Sequence, residues 1–222
     1  DRAVNAGAKF IVSPGFNPKV VSHCIEKNIP ITPGISNPSD MEQAIEMGLD
    51  AVKFFPAVPS GGLSMIKALA APYHTMRFMP TGGVTPQNLT EFLDYPKILA
   101  CGGTWMVKPE LLATGNFEEI TRLTRQTVRT MLDLKIDELT LPFPHTGNNL
   151  SDVLHGLINL SSGSTKELTI SCRYLKRTIY HLEKNGATFR YDNAKYDSTG
   201  NMDAIDFSDT PEEFSIRLIE KH

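Results

Sequence analysis

Short apolar runs, each followed by the start of an amphipathic segment, constrain the fold of this chain most. The runs lie at residues 9–13, 30–33, 50–56, 77–81 and 98–101. Runs this short and apolar are typical of buried parallel strands. Helices are predicted over residues 18–27, 38–47, 63–70, 86–93 and 117–132, and three of them start at Asn or Thr before Pro, as at Asn17 and Pro18, which is a good helix start. The alternation predicts an α/β fold with a parallel sheet.

Such a sheet can close in two ways. An open doubly wound sheet is complete with five strands, whereas a (β/α)8 TIM barrel needs three more strand–helix units before Asp1. The chain opens on Asp1 without a Met, and residues 1–8 resemble the end of a helix. We therefore expect the natural N-terminus to lie upstream, which favours a barrel of which strands 4–8 are present.

Composition excludes several classes of protein. The 222 residues carry a net charge of -3 with no cluster of basic and aromatic residues, which excludes nucleic acid as the main partner. No apolar run approaches the roughly 18 residues of a membrane span. The cysteines, Cys24, Cys101 and Cys172, are far apart and odd in number. Their spacing predicts reduced thiols in the cytoplasm, with neither a disulfide framework nor a zinc site.

The alternation of apolar runs and amphipathic segments ends after Leu134. The predicted domains are a barrel over residues 1–134, a linker over 135–165 and a small domain over 166–222. The linker is rich in Pro, Gly and Asn, with one short helix predicted at 150–157. The last segment reads as strand, helix and three strands, a βαβββ unit, with Asn185 and Gly186 ending its helix.

Lys53 is the first candidate for chemistry, because it lies inside an apolar run and is followed by Phe54, Phe55 and Pro56. Desolvation favours the neutral amine, and a neutral amine can attack a keto group to form an imine. The simpler interpretation is a lysine at a strand end whose amine reaches solvent.

Glycine-rich turns form the second set of candidates. Gly82 and Gly83 follow a strand and precede a helix start, and Gly102 and Gly103 follow the next run. Glycine amides beside a helix N-terminus bind anions, and barrels build phosphate sites from the loops after strands seven and eight. Plain tight turns are the alternative. Pro14, at the end of the first run, is either a substrate contact or a turn residue.

Taken together, the motifs resemble those of the 2-keto-3-deoxy-6-phosphogluconate (KDPG) / 4-hydroxy-2-oxoglutarate (KHG) aldolase family. The resemblance covers residues 1–134 and is carried, in order, by Phe10-Ile-Val-Ser-Pro-Gly, Ile31-Thr-Pro-Gly-Ile-Ser, Val52-Lys-Phe-Phe-Pro-Ala, Phe78-Met-Pro-Thr-Gly-Gly-Val and Cys101-Gly-Gly-Thr-Trp. It implies a (β/α)8 barrel, a homotrimer, no cofactor and no metal. It also implies a cytoplasmic lyase of carbohydrate metabolism, in the Entner–Doudoroff pathway.

The resemblance also assigns roles to individual residues. Lys53 matches the Schiff-base lysine. Thr104 stands where the family usually has Ser. The other matched positions line the pyruvate pocket, contact the substrate or cradle its phosphate; they are Pro14 and Phe55 (pocket), Thr81 (hydroxyl contact), and Gly82, Gly83, Gly103 and Thr104 (cradle).

The implied reaction is cleavage of KDPG to pyruvate and glyceraldehyde 3-phosphate, of KHG to pyruvate and glyoxylate, or of both. The family's acid/base Glu, with its carboxylate-binding Arg and Thr, matches no position here and is expected upstream of Asp1. Glu42 and Glu46 are assigned to the solvent side of an outer helix. Two rival interpretations are another phosphate-binding barrel enzyme, such as an epimerase or synthase, and a non-catalytic metabolite-binding regulator.

The segment from residue 166 to 222 resembles half of a glyoxalase-like (vicinal oxygen chelate) module. His155 and His181 lie outside its strands, and its last strand offers no inward metal ligand, so we expect a non-catalytic appendage. A single βαβββ unit leaves sheet edges open. We therefore expect it to pair with the linker region, a neighbouring subunit or the barrel.

Overall fold

The computed structural model describes residues 1–141, 159–162, 166–211 and 214–221. The chain forms two compact units, Asp1–Thr124 and Arg125–His222. This division falls inside the helix Phe117–Leu132, and the predicted boundary after residue 134 lies just beyond the end of that helix. The helix predicted at 150–157, and His155 within it, lie outside the described residues.

The first unit alternates short strands and helices. Its strands are β1 (Ile11–Val12), β2 (Ile31–Thr32), β3 (Gly34–Ile35), β4 (Ala51–Phe54) and β5 (Arg77–Pro80). Its helices are α1 (Arg2–Asn5), α2 (Pro18–Glu26), α3 (Pro38–Glu46), α4 (Gly62–Ala70), α5 (Leu89–Leu93), α6 (Pro109–Ala113) and α7 (Phe117–Leu132), the last of which continues into the second unit. The side chain of Asn17 accepts hydrogen bonds from the first amides of α2, as its position before Pro18 predicts.

The parallel strands are arranged in the order of the sequence. β1 pairs with β2, β3 continues β2 beyond Pro33 and pairs with β4, and β4 pairs with β5. The run predicted as a strand at 98–101 forms only isolated bridges to β5, from Ile98 to Phe78 and from Gly102 to Thr81. Among the described strands this order has no reversal, whereas a doubly wound sheet reverses at its switch point.

The two faces of β4 differ in burial. Val52 and Phe54 are fully buried, and Phe78 on β5 is buried with them. Ala51 and Lys53 point to the other face and are half-buried. The buried face forms the core of this unit, so the sheet presents Lys53 on its more accessible face.

In its described residues, the second unit contains one mixed sheet and one further helix. The elements are β6 (Lys135–Leu141), β7 (Asn159–Ser162), β8 (Lys166–Cys172), α8 (Leu175–Glu183), β9 (Phe189–Tyr196), β10 (Met202–Phe207) and β11 (Phe214–Glu220). The strand order is β7-β6-β8-β11-β10-β9, with β8 and β11 parallel. The elements from β8 to β11 form the predicted βαβββ unit.

The prediction that residues 135–165 form a linker is wrong for β6 and β7. β6 pairs antiparallel with β8 and thereby covers one of the two edges that the βαβββ unit leaves open. The sequence conceals this strand because a bulge between Ile136 and Glu138 interrupts the alternation of apolar residues. Of the partners weighed for that edge, the structure selects the linker region.

One side of this sheet packs on α8. Leu175 and Ile179 of the helix lie against Ile205, Leu218 and Cys172 of the strands. Burial raises the pKa of the Cys172 thiol to about 11. The thiol therefore stays protonated at neutral pH and donates to the carbonyl of Ile219 at 3.3 Å.

Within the described residues, no helix has the length and apolar character needed to cross a membrane.

Candidate active site

Lys53 lies in the middle of the sheet of the first unit. It pairs in register with Gly34 of β3 on one side and with Met79 of β5 on the other. Its amine lies 4.5 Å from the centroid of the Phe55 ring, within the range of a cation–π contact. The amine is thus positioned over an aromatic face at the carboxyl end of β4.

The same Phe55 ring also packs against the first glycine turn. A Cβ at Gly82 would lie 3.2 Å from two carbons of this ring, and the φ angle of Gly82 is +90°. Any L-residue at this position would therefore be strained and crowded. Phe55 joins the Lys53 amine to the Gly82 turn, because one ring contacts both.

Backbone hydrogen bonds hold the end of β4 and this turn together. The amide of Thr81 donates to the carbonyl of Phe54 at 3.0 Å, and the amide of Ala57 donates to the carbonyl of Thr81 at 2.7 Å. The amide of Val58 donates to the carbonyl of Gly82 at 3.0 Å. These bonds fix the spacing between the lysine strand and the turn.

Gly83 is confined by side chains from two directions. A Cβ at Gly83 would lie 2.6 Å from Cβ of Val58, and its φ angle is +86°. The side-chain Nδ2 of Asn88 donates to the carbonyl of Gly83 at 3.1 Å. The side-chain Oδ1 of Asn88 accepts from the backbone amide of Thr85 at 2.8 Å. Asn88 therefore closes the turn, which explains why α5 begins at Leu89 and not at residue 86 as predicted.

The second glycine turn packs against the first. A Cβ at Gly102 would lie 2.5 Å from the methyl carbon of Thr81, and the two residues form a bridge. A Cβ at Gly103 would overlap the ring of Trp105. Thr104, next in the chain, is exposed. Both turns therefore need glycine for packing reasons, independently of any ligand.

Pro14 contacts Gly34, the residue of β3 that pairs with Lys53. A Cβ at Gly34 would fall on the carbonyl oxygen of Pro14, and Gly34 is buried. The turn after β1 thus rests on the residue that pairs with Lys53.

Thr81 carries a polar atom without a partner. Its side-chain oxygen is buried and accepts or donates no hydrogen bond within the described part of the chain. A buried hydroxyl without a partner costs about 1–3 kcal/mol. Such an atom beside the lysine strand and both turns is a candidate for contact with a bound ligand.

Replacing Thr81 by valine is therefore expected to raise stability while lowering activity. Valine removes the unpaired hydroxyl, and we expect the free energy of unfolding in urea to rise by about 1 kcal/mol. The matched control is Thr114→Val, which removes a hydroxyl that donates to the carbonyl of Glu110 at 2.8 Å. A Thr81→Val protein that is less stable than this control would show that the hydroxyl is satisfied in the native protein.

The predicted site residues thus fall into three places: Lys53, Phe55, Thr81, Gly82 and Gly83 lie at the carboxyl ends of the paired strands β4 and β5, Pro14 follows β1, and Gly103 and Thr104 follow the run that bridges β5. Sequence reasoning includes Gly102 in the second glycine turn but misses the bracing roles of Val58, Asn88 and Trp105. Glu42 and Glu46 are exposed on α3, as assigned.

Over residues 1–141, 159–162, 166–211 and 214–221, no three His, Cys, Asp or Glu side chains are grouped so as to hold a metal ion.

Comparison with known proteins assigns the family. A family model of KDPG and KHG aldolases matches residues 1–123. The chain belongs to the KDPG and KHG aldolase family. A curated KDPG-aldolase relative, the 2-dehydro-3-deoxy-phosphogluconate aldolase of Treponema pallidum (strain Nichols), is 50% identical over 128 residues, which is 58% of this chain and 61% of that protein.

Two solved KDPG aldolases share the fold of the matched part. The enzyme from Legionella pneumophila, with pyruvate captured at low pH as a covalent carbinolamine intermediate, is 34% identical with a TM-score of 0.53; the match covers 58% of this chain and 59% of that one. The enzyme from Zymomonas mobilis ZM4 with 3-phosphoglycerate is 37% identical with a TM-score of 0.52, covering 57% and 59%. The chain spans about 60% of the length of these family members.

Proposed function

We propose that the protein is a class I aldolase that cleaves KDPG to pyruvate and glyceraldehyde 3-phosphate, KHG to pyruvate and glyoxylate, or both. The observation that carries this proposal is the Phe55 ring, which contacts the Lys53 amine and the Gly82 turn together. A keto group at Lys53 and an anion at the glycine turns can then belong to one small substrate.

The proposed reaction begins at the amine of Lys53. The neutral amine attacks the C2 carbonyl of the keto acid, water leaves and a protonated imine forms. The electron pair of the C3–C4 bond moves into the imine to give an enamine, while the C4 hydroxyl loses its proton and becomes an aldehyde. Protonation of C3 and hydrolysis of the imine then release pyruvate and the free amine.

The other site residues bind the substrate in this proposal. Pro14 and Phe55 line the pyruvate end, and the unpaired hydroxyl of Thr81 supplies a hydrogen bond to the bound keto acid. The amides of the two turns, at Gly82, Gly83, Gly103 and Thr104, receive the phosphate. The Zymomonas mobilis relative was solved with 3-phosphoglycerate, and this supports a phosphorylated ligand for the present protein.

We also propose that the first unit supplies strands 4–8 of a (β/α)8 barrel. The sequential parallel order of its strands and its likeness to solved KDPG aldolases support this. The homotrimer and the cytoplasmic location are proposed from the family resemblance.

The second unit is proposed to be a non-catalytic, glyoxalase-like appendage. Two carboxylates of its sheet are engaged in ion pairs, since Arg217 pairs with Asp206 at 2.8 Å and with Glu167 at 2.9 Å. A carboxylate held in such a pair is less available as a metal ligand. The pairing of β6 with β8 further supports a structural role, because β6 covers the β8 edge of the βαβββ unit.

Pyruvate release tests the proposed activity. The full-length protein is incubated with KDPG and, separately, with KHG, and pyruvate is measured through NADH consumption by lactate dehydrogenase. An aldolase releases pyruvate from at least one of the two. An epimerase or synthase, or a non-catalytic regulator, releases it from neither, and that result would reject the proposal.

A further inference from the structure

Trp105 folds back onto the second glycine turn. The amide of Val107 donates to the carbonyl of Thr104 at 3.0 Å, which closes a tight turn with Trp105 in its second position. In this turn the indole ring lies directly on Gly103, so that a Cβ at Gly103 would overlap three ring carbons. The ring therefore covers one side of the glycine backbone.

The preceding glycine of the turn is also held. The methyl group of Thr81 packs against Gly102, and the amide of Gly102 donates to the carbonyl of Pro80 at 3.0 Å. Glycine backbones are otherwise the most mobile in a protein. The turn is thus held by the Thr81 methyl at Gly102 and by the Trp105 ring at Gly103, which restricts the directions of its amides.

We propose that Trp105 is a positioning residue that sets the affinity for the phosphate group of the substrate. This inference rests on the proposed function, in which Gly103 and Thr104 receive that phosphate. Trp105 acts through the backbone, because a turn already held in its binding conformation loses less conformational entropy when the anion arrives. The residue therefore governs the preference for phosphorylated over unphosphorylated keto acids.

Substrate preference gives a direct test of this role. In the full-length protein, Trp105→Leu removes the flat ring, whereas Trp105→Phe keeps a smaller one. We expect Trp105→Leu to lower the ratio of kcat/KM for KDPG to kcat/KM for KHG by about tenfold, mainly through KM for KDPG. Trp105→Phe is expected to lower the ratio less. Inorganic phosphate, used as a competitive inhibitor of KDPG cleavage, should bind more weakly to both variants.

Imine formation separates this inference from the proposed function. Pyruvate and borohydride are expected to label Lys53 in the wild-type protein and in both variants, because pyruvate carries no phosphate. With labelling intact, an unchanged KDPG/KHG ratio, or an equal fall for both substrates, would overturn the positioning role. Absence of labelling in the wild-type protein would instead reject the aldolase proposal. If Trp105→Leu does not fold, the Trp105→Phe ratio and its phosphate inhibition decide the matter.

Discussion

Replacing Lys53 by arginine is expected to lower kcat/KM for the preferred keto acid by at least about 10⁴-fold. Arginine keeps the positive charge and can remain over the Phe55 ring, which lies 4.5 Å from the lysine amine. Its guanidinium stays protonated and forms no imine with a ketone. The loss therefore isolates covalent chemistry from simple charge binding, and initial rates of pyruvate release measure it.

The same substitution at Lys67 is the matched control. Lys67 lies on α4 with its amine 5.6 Å above the ring of Tyr95, so it also faces an aromatic ring but lies outside the site. We expect Lys67→Arg to keep the wild-type rate. If Lys53→Arg retained a comparable rate of pyruvate release, Lys53 would serve only to bind charge, and cleavage through an imine on this lysine would be contradicted.

Replacing Gly34 by alanine is expected to destabilise the protein by about 3 kcal/mol or more. Its methyl group would fall on the carbonyl oxygen of Pro14, which belongs to the backbone and cannot turn away as a side chain can. Either β3 or the turn after β1 must shift. Because Gly34 pairs in register with Lys53, a shift of about 1 Å would also cost about 10²-fold in activity.

Gly15→Ala supplies the control for this prediction. Gly15 belongs to the same contact, but a Cβ there would meet no atom within 4 Å, and its φ is not in the left-handed region. We expect its free energy of unfolding to change by no more than about 0.5 kcal/mol. Urea denaturation of both variants measures the difference, and equal stability of the two would contradict the close approach of Pro14 to Gly34.

Local signals made much of the fold predictable. Asn17 and Asn37, each before a proline, mark the starts of α2 and α3 correctly because capping depends only on nearby residues. The start of α5 was misplaced, since the side chain of Asn88 binds the amide of Thr85 and holds residues 85–88 in a turn. The run at 98–101 has strand-like composition but forms only isolated bridges.

Pairing between distant segments was harder to predict. β6 was assigned to a linker because its bulge breaks the period of two that reveals a strand. Ile136 and Leu139 nevertheless pair with Ile170 and Leu168 of β8. A bulge is specified by the partner strand, which a local reading of the sequence does not include.

In the candidate site, too, the features set by neighbouring residues were predictable and the contacts from distant residues were not. The glycines were identified because strand, Gly-Gly and helix start occur together in the sequence. The side chains that confine them come from separate loops, as Val58 does for Gly83, or fold back over a turn, as Trp105 does for Gly103. The one tryptophan of the chain, beside a pair of glycines, was the signal available for the second of these contacts.

Reductive trapping of a keto acid on Lys53 tests the central claim most directly. The full-length protein is treated with pyruvate and sodium borohydride, digested and mapped by mass spectrometry, with Lys53→Arg as the negative control. The imine mechanism predicts a reduced pyruvate adduct on the peptide that contains Lys53 and none on that peptide in the variant. An unmodified Lys53 peptide in an otherwise active enzyme would contradict it.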